Sequence, residues 1–133
     1  KNVNDTYGHL VGDQVLRVLA ATVRKIVRAT DTICRFGGEE FIVLMPEAKR
    51  DEALAMAERL RERVSDITVV ASEGTLSLTI SLGVAERRSE MASPDALLRA
   101  ADAAVYAAKH AGRNTVVEAP KLSDVQNGKA ISA

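Results

Sequence analysis

The run Thr-Ile-Cys-Arg-Phe-Gly-Gly-Glu-Glu-Phe-Ile-Val-Leu-Met occupies residues 32–45. Its two apolar stretches, 32–36 and 41–45, are separated by Gly37-Gly38-Glu39-Glu40. Two β-prone stretches on either side of a glycine-containing turn predict a β-hairpin. Cys34 falls in the first strand of this hairpin, where we expect it to be a small buried apolar residue.

Helical and strand periodicities surround the hairpin. Apolar residues spaced by three and four predict helices over 10–27, with Asp13 in the first turn, and over 51–64. Strict alternation predicts a half-buried strand over 76–84, and Ser93-Pro94 predicts the start of a third helix that ends at Gly112. Short strands are predicted over 67–70 and 115–118. This order predicts an α+β fold, with helices packed on a largely antiparallel sheet.

Length and composition allow one domain with an aliphatic core. The chain has 133 residues, of which 47% are hydrophobic and 3% aromatic. Eighteen basic residues balance eighteen acidic ones, which argues against a broad basic face for nucleic acid. No apolar run reaches membrane-spanning length. We expect one domain over 1–118 and a disordered tail over 119–133, because the tail lacks apolar periodicity.

The four residues at the predicted hairpin tip carry a chemical signal. Gly37 and Gly38 leave the backbone open where a large ligand has to approach it closely. Glu39 and Glu40 repel each other unless a cation lies between them or water solvates both. Glycines beside carboxylates therefore indicate a nucleotide bound with magnesium, and the alternative is an exposed acidic turn.

Four ordered segments of the chain resemble the GGDEF-domain diguanylate cyclases. The hairpin tip with Phe41 matches the family signature in its Glu variant. The other matching segments are 2–9 followed by Gly12-Asp13, 81–85, and 101–109 followed by Gly112-Arg113-Asn114. The resemblance runs from residue 1 to about residue 117. It implies a palm-like sheet of the nucleotidyl cyclases, related to the ferredoxin-like fold, that binds one GTP.

The resemblance also implies an activity, a cofactor and a set of site residues. Two domains facing each other in a homodimer would join two GTP into cyclic di-GMP and release pyrophosphate, with Mg²⁺ or Mn²⁺ as cofactor. Glu39 and Glu40 would coordinate the metal and be catalytic, and Glu39 would also help to deprotonate the attacking 3′-hydroxyl. The implied substrate-binding residues are Asn4 and Asp13 for the guanine edge, Gly37 and Gly38 for the nucleotide, and Lys109 and Arg113 for the terminal phosphates.

Simpler structural roles remain open for four of these residues. Asn4 is a common turn residue, and Asp13 suits the start of a helix. Lys109 and Arg113 lie where cations favour the C-terminus of a helix in any protein.

A second motif precedes the hairpin. Arg28-Ala29-Thr30-Asp31 is followed by five residues and then Gly37, a spacing that resembles the family's R-x-x-D product-inhibition site. Arg59 matches the position of a further product-binding arginine. An arginine fork suits guanine or phosphate acceptors, and Asp31 can accept from guanine N–H groups. The alternative is a helix-ending arginine followed by an aspartate in a turn.

One segment of the family pattern is not found in the sequence. Family members carry a strand with a D-x-D-like motif, which supplies a metal-binding aspartate, just before the position of Lys1. We therefore expect a domain truncated at its N-terminus and inactive on its own. The parent protein would be cytoplasmic or membrane-anchored and carry an N-terminal input domain. The competing hypotheses are a cyclic di-GMP receptor without catalysis and a module that only dimerises.

Overall fold

A computed structural model describes residues 8–72 and 74–120. Within these residues the chain forms three helices and six strands. Their order is α1 (His9–Ile26), β1 (Thr32–Arg35), β2 (Phe41–Leu44), α2 (Arg50–Ser65), β3 (Thr68–Ala71), β4 (Gly74–Ser77), β5 (Leu82–Val84), α3 (Pro94–His110) and β6 (Val116–Glu118). The predicted α+β class is confirmed, with two antiparallel strand pairs and one parallel pair in the described part.

Internal contacts divide the chain into two compact units. The first contains the residues up to Ala48 together with Glu62–Leu78, and thus α1 and the hairpins β1–β2 and β3–β4. The second contains Lys49–Arg61 and the residues from Thr79 onward, and thus most of α2, the pair β5–β6 and α3.

Helix α1 begins one residue earlier than its apolar pattern predicts. The carbonyl of Gly8 accepts a hydrogen bond from the N–H of Gly12 at 3.1 Å, which brings His9 into the helix. Asp13 therefore lies in the second turn, and the first turn holds no acidic residue. The prediction that Asp13 lies in the first turn was wrong. On the inner face Val23 is buried, as the spacing predicts.

The predicted hairpin over residues 32–45 is present. β1 and β2 pair antiparallel, from Thr32 opposite Leu44 to Arg35 opposite Phe41. The prediction that Cys34 is buried was wrong, because Cys34 is exposed. Successive side chains of a strand lie on opposite faces, and in β1 only Ile33 is half-buried. Cys34 lies on the other face.

The alternating run 76–84 does not form one strand. Residues up to Ser77 pair with β3 in an antiparallel hairpin, whereas Leu82–Val84 pairs with β6 in parallel. Between them, residues 78–81 have no assigned strand structure. The chain changes its pairing partner within the run. An alternating pattern of apolar residues predicts which side chains are buried, but it does not predict which strand pairs with the segment. The prediction of one continuous strand was therefore wrong.

Helix α3 packs closely on β5 in the second unit. Ser93 caps the helix by accepting from the N–H of Ala96 at 3.4 Å, and Pro94 is its first residue, as predicted. A methyl group added to Gly83 would lie 2.4 Å from the carbonyl oxygen of Ala101 and 2.5 Å from the backbone nitrogen of Val105. Gly83 is therefore required by the approach of two backbones. The buried small residues of the helix are Ala104, Ala107 and Ala108.

An ion pair links strand β6 to helix α2. The guanidinium of Arg50 donates to both carboxylate oxygens of Glu118, and this hydrogen bond raises the pKa of Arg50. Beyond β6, the N–H of Ala119 donates to the carbonyl of Val84 at 2.7 Å, and Ala119 is buried. In the described part of the chain, no helix combines the length and the apolar character needed to cross a membrane.

Candidate functional site

The tip of the β1–β2 hairpin is a five-residue loop, Phe36–Glu40, in which every residue is exposed. Its ends are closed by the carbonyl of Glu40, which accepts from the N–H of Phe36 at 2.8 Å and from that of Gly37 at 3.4 Å. The loop therefore presents Gly37, Gly38, Glu39 and Glu40 together, as the sequence predicts.

Arg35 holds the backbone of this hairpin loop. Its Nε donates to the carbonyl oxygen of Gly37 at 3.2 Å, and its Nη2 donates to that of Gly38 at 2.7 Å. The guanidinium thus bridges two consecutive carbonyls and restricts the conformations of the glycines. Sequence reasoning missed Arg35. The available signal was an arginine, with its fork of donors, directly before a glycine pair.

The backbone conformation at Gly37 and Gly38 does not require glycine. Neither Gly37 nor Gly38 has a positive φ, the region in which glycine is favoured. A methyl group on Gly38 would meet no atom within 4 Å, and one on Gly37 would make an ordinary contact of 3.6 Å with Glu40. Folding of the described residues therefore tolerates a side chain at either position. This distinguishes them from Gly83.

The carboxylates of the hairpin loop fit part of a magnesium site. Mg²⁺ is bound in proteins through one or two carboxylates, with substrate phosphates and water completing its shell. Glu39 and Glu40 supply two such groups on an exposed loop. Within 8–72 and 74–120, no group of three or more His, Cys, Asp or Glu side chains is arranged to hold a metal ion. The remaining ligands would therefore come from water, from a bound nucleotide or from outside these residues.

The turn from Arg28 to Asp31 is closed by its own side chains. Oδ1 of Asp31 accepts from Nε and Nη2 of Arg28 at 3.3 and 3.2 Å, while Oδ2 accepts from the N–H of Arg28 at 2.8 Å. Nη2 also donates to the carbonyl of Pro46 at 3.2 Å. The predicted partners are thus brought together, and they bind each other.

An open depression of about 320 Å³ lies at this turn, lined by residues from the end of α1 to the start of β1. Arg28 keeps 39% of its side-chain surface exposed, whereas the side chain of Asp31 has none. A ligand that enters the depression therefore meets the arginine first.

The remaining predicted site residues are dispersed. Asp13 is exposed on α1, and Arg59 is exposed on α2. Lys109 lies in the last turn of α3 and Arg113 in the turn that follows, so this predicted cationic pair lies at the C-terminal end of α3. Asn4 lies outside the described residues.

Comparison with known proteins identifies relatives over most of the chain. The sequence profile described as diguanylate cyclase, GGDEF domain, matches residues 1–115. The response regulator PleD of Caulobacter vibrioides is 49% identical over 119 residues, which are 88% of this chain and 26% of that protein. Diguanylate cyclase A of Treponema denticola is 40% identical over 116 residues, 87% of this chain and 31% of that protein. The chain thus spans about a quarter to a third of these curated relatives.

Solved structures share the fold. The GGDEF domain of DgcB from Caulobacter crescentus, in complex with c-di-GMP, superimposes with a TM-score of 0.83 at 34% identity, covering 89% of this chain and 70% of that one. The active GGEEF domain of a diguanylate cyclase from Vibrio cholerae gives a TM-score of 0.83 at 28% identity, covering 90% of this chain and 75% of that one. The palm-like α+β fold predicted from the sequence is confirmed.

Proposed function

The chain belongs to the diguanylate cyclase, GGDEF domain, family, and from that premise we propose that it is the catalytic domain of a protein that condenses two GTP into cyclic di-GMP and pyrophosphate. The relative from Treponema denticola is named a diguanylate cyclase, and the related Vibrio cholerae domain is described as active. Both names agree with an enzyme.

One observation carries the proposal. The hairpin loop keeps two glycines that its fold does not require, beside two exposed carboxylates, on a backbone that Arg35 holds. Glycine increases the entropy of the unfolded chain and costs roughly 0.5–1 kcal/mol relative to alanine in regular structure. Glycines that folding does not need are explained by a ligand that lies against the backbone.

The residues of the hairpin loop would bind GTP and act on its 3′-hydroxyl. Gly37 and Gly38 would let the phosphates approach the hairpin, and Glu39 would accept the proton of the attacking 3′-hydroxyl. The 3′-oxygen then bonds to the α-phosphorus of the second GTP, and the bond to pyrophosphate breaks. A divalent cation held by Glu39 and Glu40 would activate the nucleophile and neutralise the leaving group.

The remaining proposed contacts orient the nucleotide. Lys109 and Arg113 would neutralise its terminal phosphates, whose charge grows on the leaving group. Asn4 and Asp13 would bind the guanine edge. Since one domain binds one GTP, two domains must face each other, and catalysis would require a homodimer. We place the reaction in the cytoplasm, under the control of a further domain of the whole protein.

A cyclic di-GMP receptor is the second candidate function. The depression at Arg28 and Asp31 favours it, because an arginine fork there remains partly exposed. The DgcB domain that is similar to this chain was solved with c-di-GMP. In an active cyclase the same two residues would form a site for inhibition by product, and Arg59 stays a separate candidate for binding product.

Glu40→Gln in the full-length protein tests the cyclase proposal. The change removes a charge at nearly constant shape. We expect formation of cyclic di-GMP from GTP and magnesium, measured by chromatography, to fall at least about a hundredfold, as for loss of a preorganised electrostatic contact in a catalytic site. Glu62→Gln is the matched control, because Glu62 is an exposed carboxylate of α2 whose backbone carbonyl accepts hydrogen bonds from the hydroxyl of Ser65 and the N–H of Asp66.

The outcomes separate the candidates. If Glu40→Gln and the unsubstituted full-length protein formed cyclic di-GMP at equal rates, the metal-binding role of the hairpin loop would be contradicted. A parent protein that binds cyclic di-GMP but makes none from GTP would instead be a receptor.

A further inference from the structure

The turn after α3 is held in an unfavourable backbone conformation. Three consecutive residues, Gly112, Arg113 and Asn114, have φ values of 109°, 65° and 47°. Glycine adopts positive φ freely and asparagine tolerates it, but a long side chain such as that of Arg113 does so at a cost. Such a conformation persists only where surrounding contacts determine it.

Backbone hydrogen bonds supply part of this restraint. The N–H of Arg113 donates to the carbonyl of Ala108 at 3.1 Å, and Ala108 is fully buried in α3. Just beyond the turn, the carbonyl of Thr115 accepts from the N–H of Leu82 in β5 at 3.0 Å. Both ends of the turn are therefore anchored, and Asn114 lies between them.

Arg61 of α2 holds Asn114 from 53 residues away. Its Nη1 donates to Oδ1 of Asn114 at 3.1 Å. The same guanidinium donates to Oε1 of Glu58, with Nε at 2.9 Å, so that Glu58 fixes its orientation. This hydrogen bond holds the pKa of Glu58 below its ordinary value, with desolvation acting in the opposite direction. Arg61 keeps only 22% of its side-chain surface exposed.

We propose that Arg61 is a positioning residue for the triphosphate of GTP: by holding Asn114, it fixes the backbone conformation of Arg113. The inference rests on the proposed function, in which Arg113 binds the terminal phosphates. A cation whose backbone is already ordered loses less conformational entropy when it binds phosphate. Without Arg61, the left-handed residues can relax, and each binding event has to restore them.

A positioning role predicts a loss specific to the terminal phosphates. In the full-length protein, we expect Arg61→Ala to raise KM for GTP about three- to tenfold, the range for loss of one hydrogen bond, with kcat changed less than about twofold. Inhibition by GMP, which lacks the terminal phosphates, should be unchanged. Arg63→Ala is the matched control, because it removes an exposed arginine from the last turn of the same helix.

Asn114→Ala breaks the same hydrogen bond from its other end and leaves α2 intact. It should raise KM for GTP as Arg61→Ala does, and the double variant should be no worse than either single one, because both changes remove the hydrogen bond between Arg61 and Asn114. Should Arg61→Ala not fold, Asn114→Ala decides the question: a raised KM supports the inference, and an unchanged KM overturns it.

Arg113→Ala separates a failure of the inference from a failure of the proposed function. If Arg113→Ala leaves KM unchanged, the proposed phosphate contact is wrong, and the inference is overturned with it. If Arg113→Ala raises KM while Arg61→Ala does not, only the positioning role is overturned. An equal weakening of GMP and GTP by Arg61→Ala would also overturn it, because that result indicates general loss of structure.

Discussion

The hairpin loop Phe36–Glu40 and the turn Arg28–Asp31 are both short polar connections in the first unit, yet they are stabilised in different ways. The hairpin loop is held from outside, since Arg35 bonds the carbonyls of Gly37 and Gly38 and leaves the acidic side chains exposed. The turn is held from within, since its two candidate binding groups bond each other.

This difference has consequences for ligand binding. A ligand at the hairpin loop meets a backbone that is already restrained, so little further ordering is needed. A ligand at the turn has to exchange the hydrogen bonds of Arg28 with Asp31 and Pro46 for its own. The turn can therefore hold either its internal ion pair or a bound ligand. The affinity of the turn for that ligand is reduced by the free energy needed to break the pair.

Gly38→Val is expected to produce the largest effect, because it tests whether the hairpin loop is kept open for a ligand. A Cβ atom at position 38 would meet no atom within 4 Å, and the position is exposed, so the unfolding temperature should stay within about 2 °C. Synthesis of cyclic di-GMP by the full-length protein should fall at least about a hundredfold, because the side chain occupies the space of the nucleotide.

The same substitution in the other hairpin of the first unit is the matched control. Gly74 has a φ of 131°, which a β-branched residue rarely adopts. Gly74→Val should therefore cost about 1–3 kcal/mol of stability while its remaining folded fraction keeps full activity. If Gly38→Val lost stability and activity in parallel, as Gly74→Val would at higher temperature, the glycine would serve folding and not the ligand.

The sequence predicted the hairpin, the capped start of α3 and the family, because each rests on local signals. Turn glycines, Ser93-Pro94 and amphipathic spacing act within a few residues. The break in the run 76–84 and the exposure of Cys34 could not be predicted in this way, because both depend on which element packs alongside.

Long-range side-chain contacts were also invisible in the sequence. Arg61 and Asn114 are 53 residues apart, and a single hydrogen bond leaves no periodic pattern. The roles assigned to Glu39, Glu40, Lys109 and Arg113 stay predictions, since they depend on a ligand. For Arg28 and Asp31, proximity was predictable, but their mutual ion pair was not.

Arg28→Ala tests the turn and should have an intermediate effect. It removes the donor fork that we propose for cyclic di-GMP, and loss of a hydrogen bond from a charged group costs about 1.5–3 kcal/mol, or about ten- to a hundredfold in affinity. Calorimetric titration with cyclic di-GMP should show that weakening, and inhibition of the cyclase by product should be relieved equally. Lys25→Ala, which removes a neighbouring cation of α1, is the control. If Arg28→Ala bound cyclic di-GMP with unchanged affinity, the motif Arg28–Asp31 would have no binding role and would serve only to end α1.

Arg35→Ala should have the smallest effect, and it tests whether the hairpin loop is restrained before a ligand binds. The change removes two exposed hydrogen bonds to the glycine carbonyls but leaves the ladder between β1 and β2 intact. Exposed hydrogen bonds lie at the lower end of the range of roughly 0.5–1.5 kcal/mol for one bond, so the two together contribute about 1 kcal/mol, and we expect synthesis of cyclic di-GMP to fall about fivefold. Affinity for cyclic di-GMP at the turn should not change, since the hydrogen bonds of Arg28 with Asp31 and Pro46 do not involve Arg35.

Hydrogen exchange separates this restraint from a direct contact of Arg35 with substrate. In the absence of ligand, the backbone amides of Gly37–Glu40 should exchange faster in Arg35→Ala than in the parent protein, because the loop opens more often. Cys34→Ala, at an exposed position of the same strand, should leave both exchange and activity unchanged. Lost activity with unchanged exchange would mean that Arg35 acts on the substrate itself, and the difference between the two connections would then lie in their ligands and not in their preorganisation.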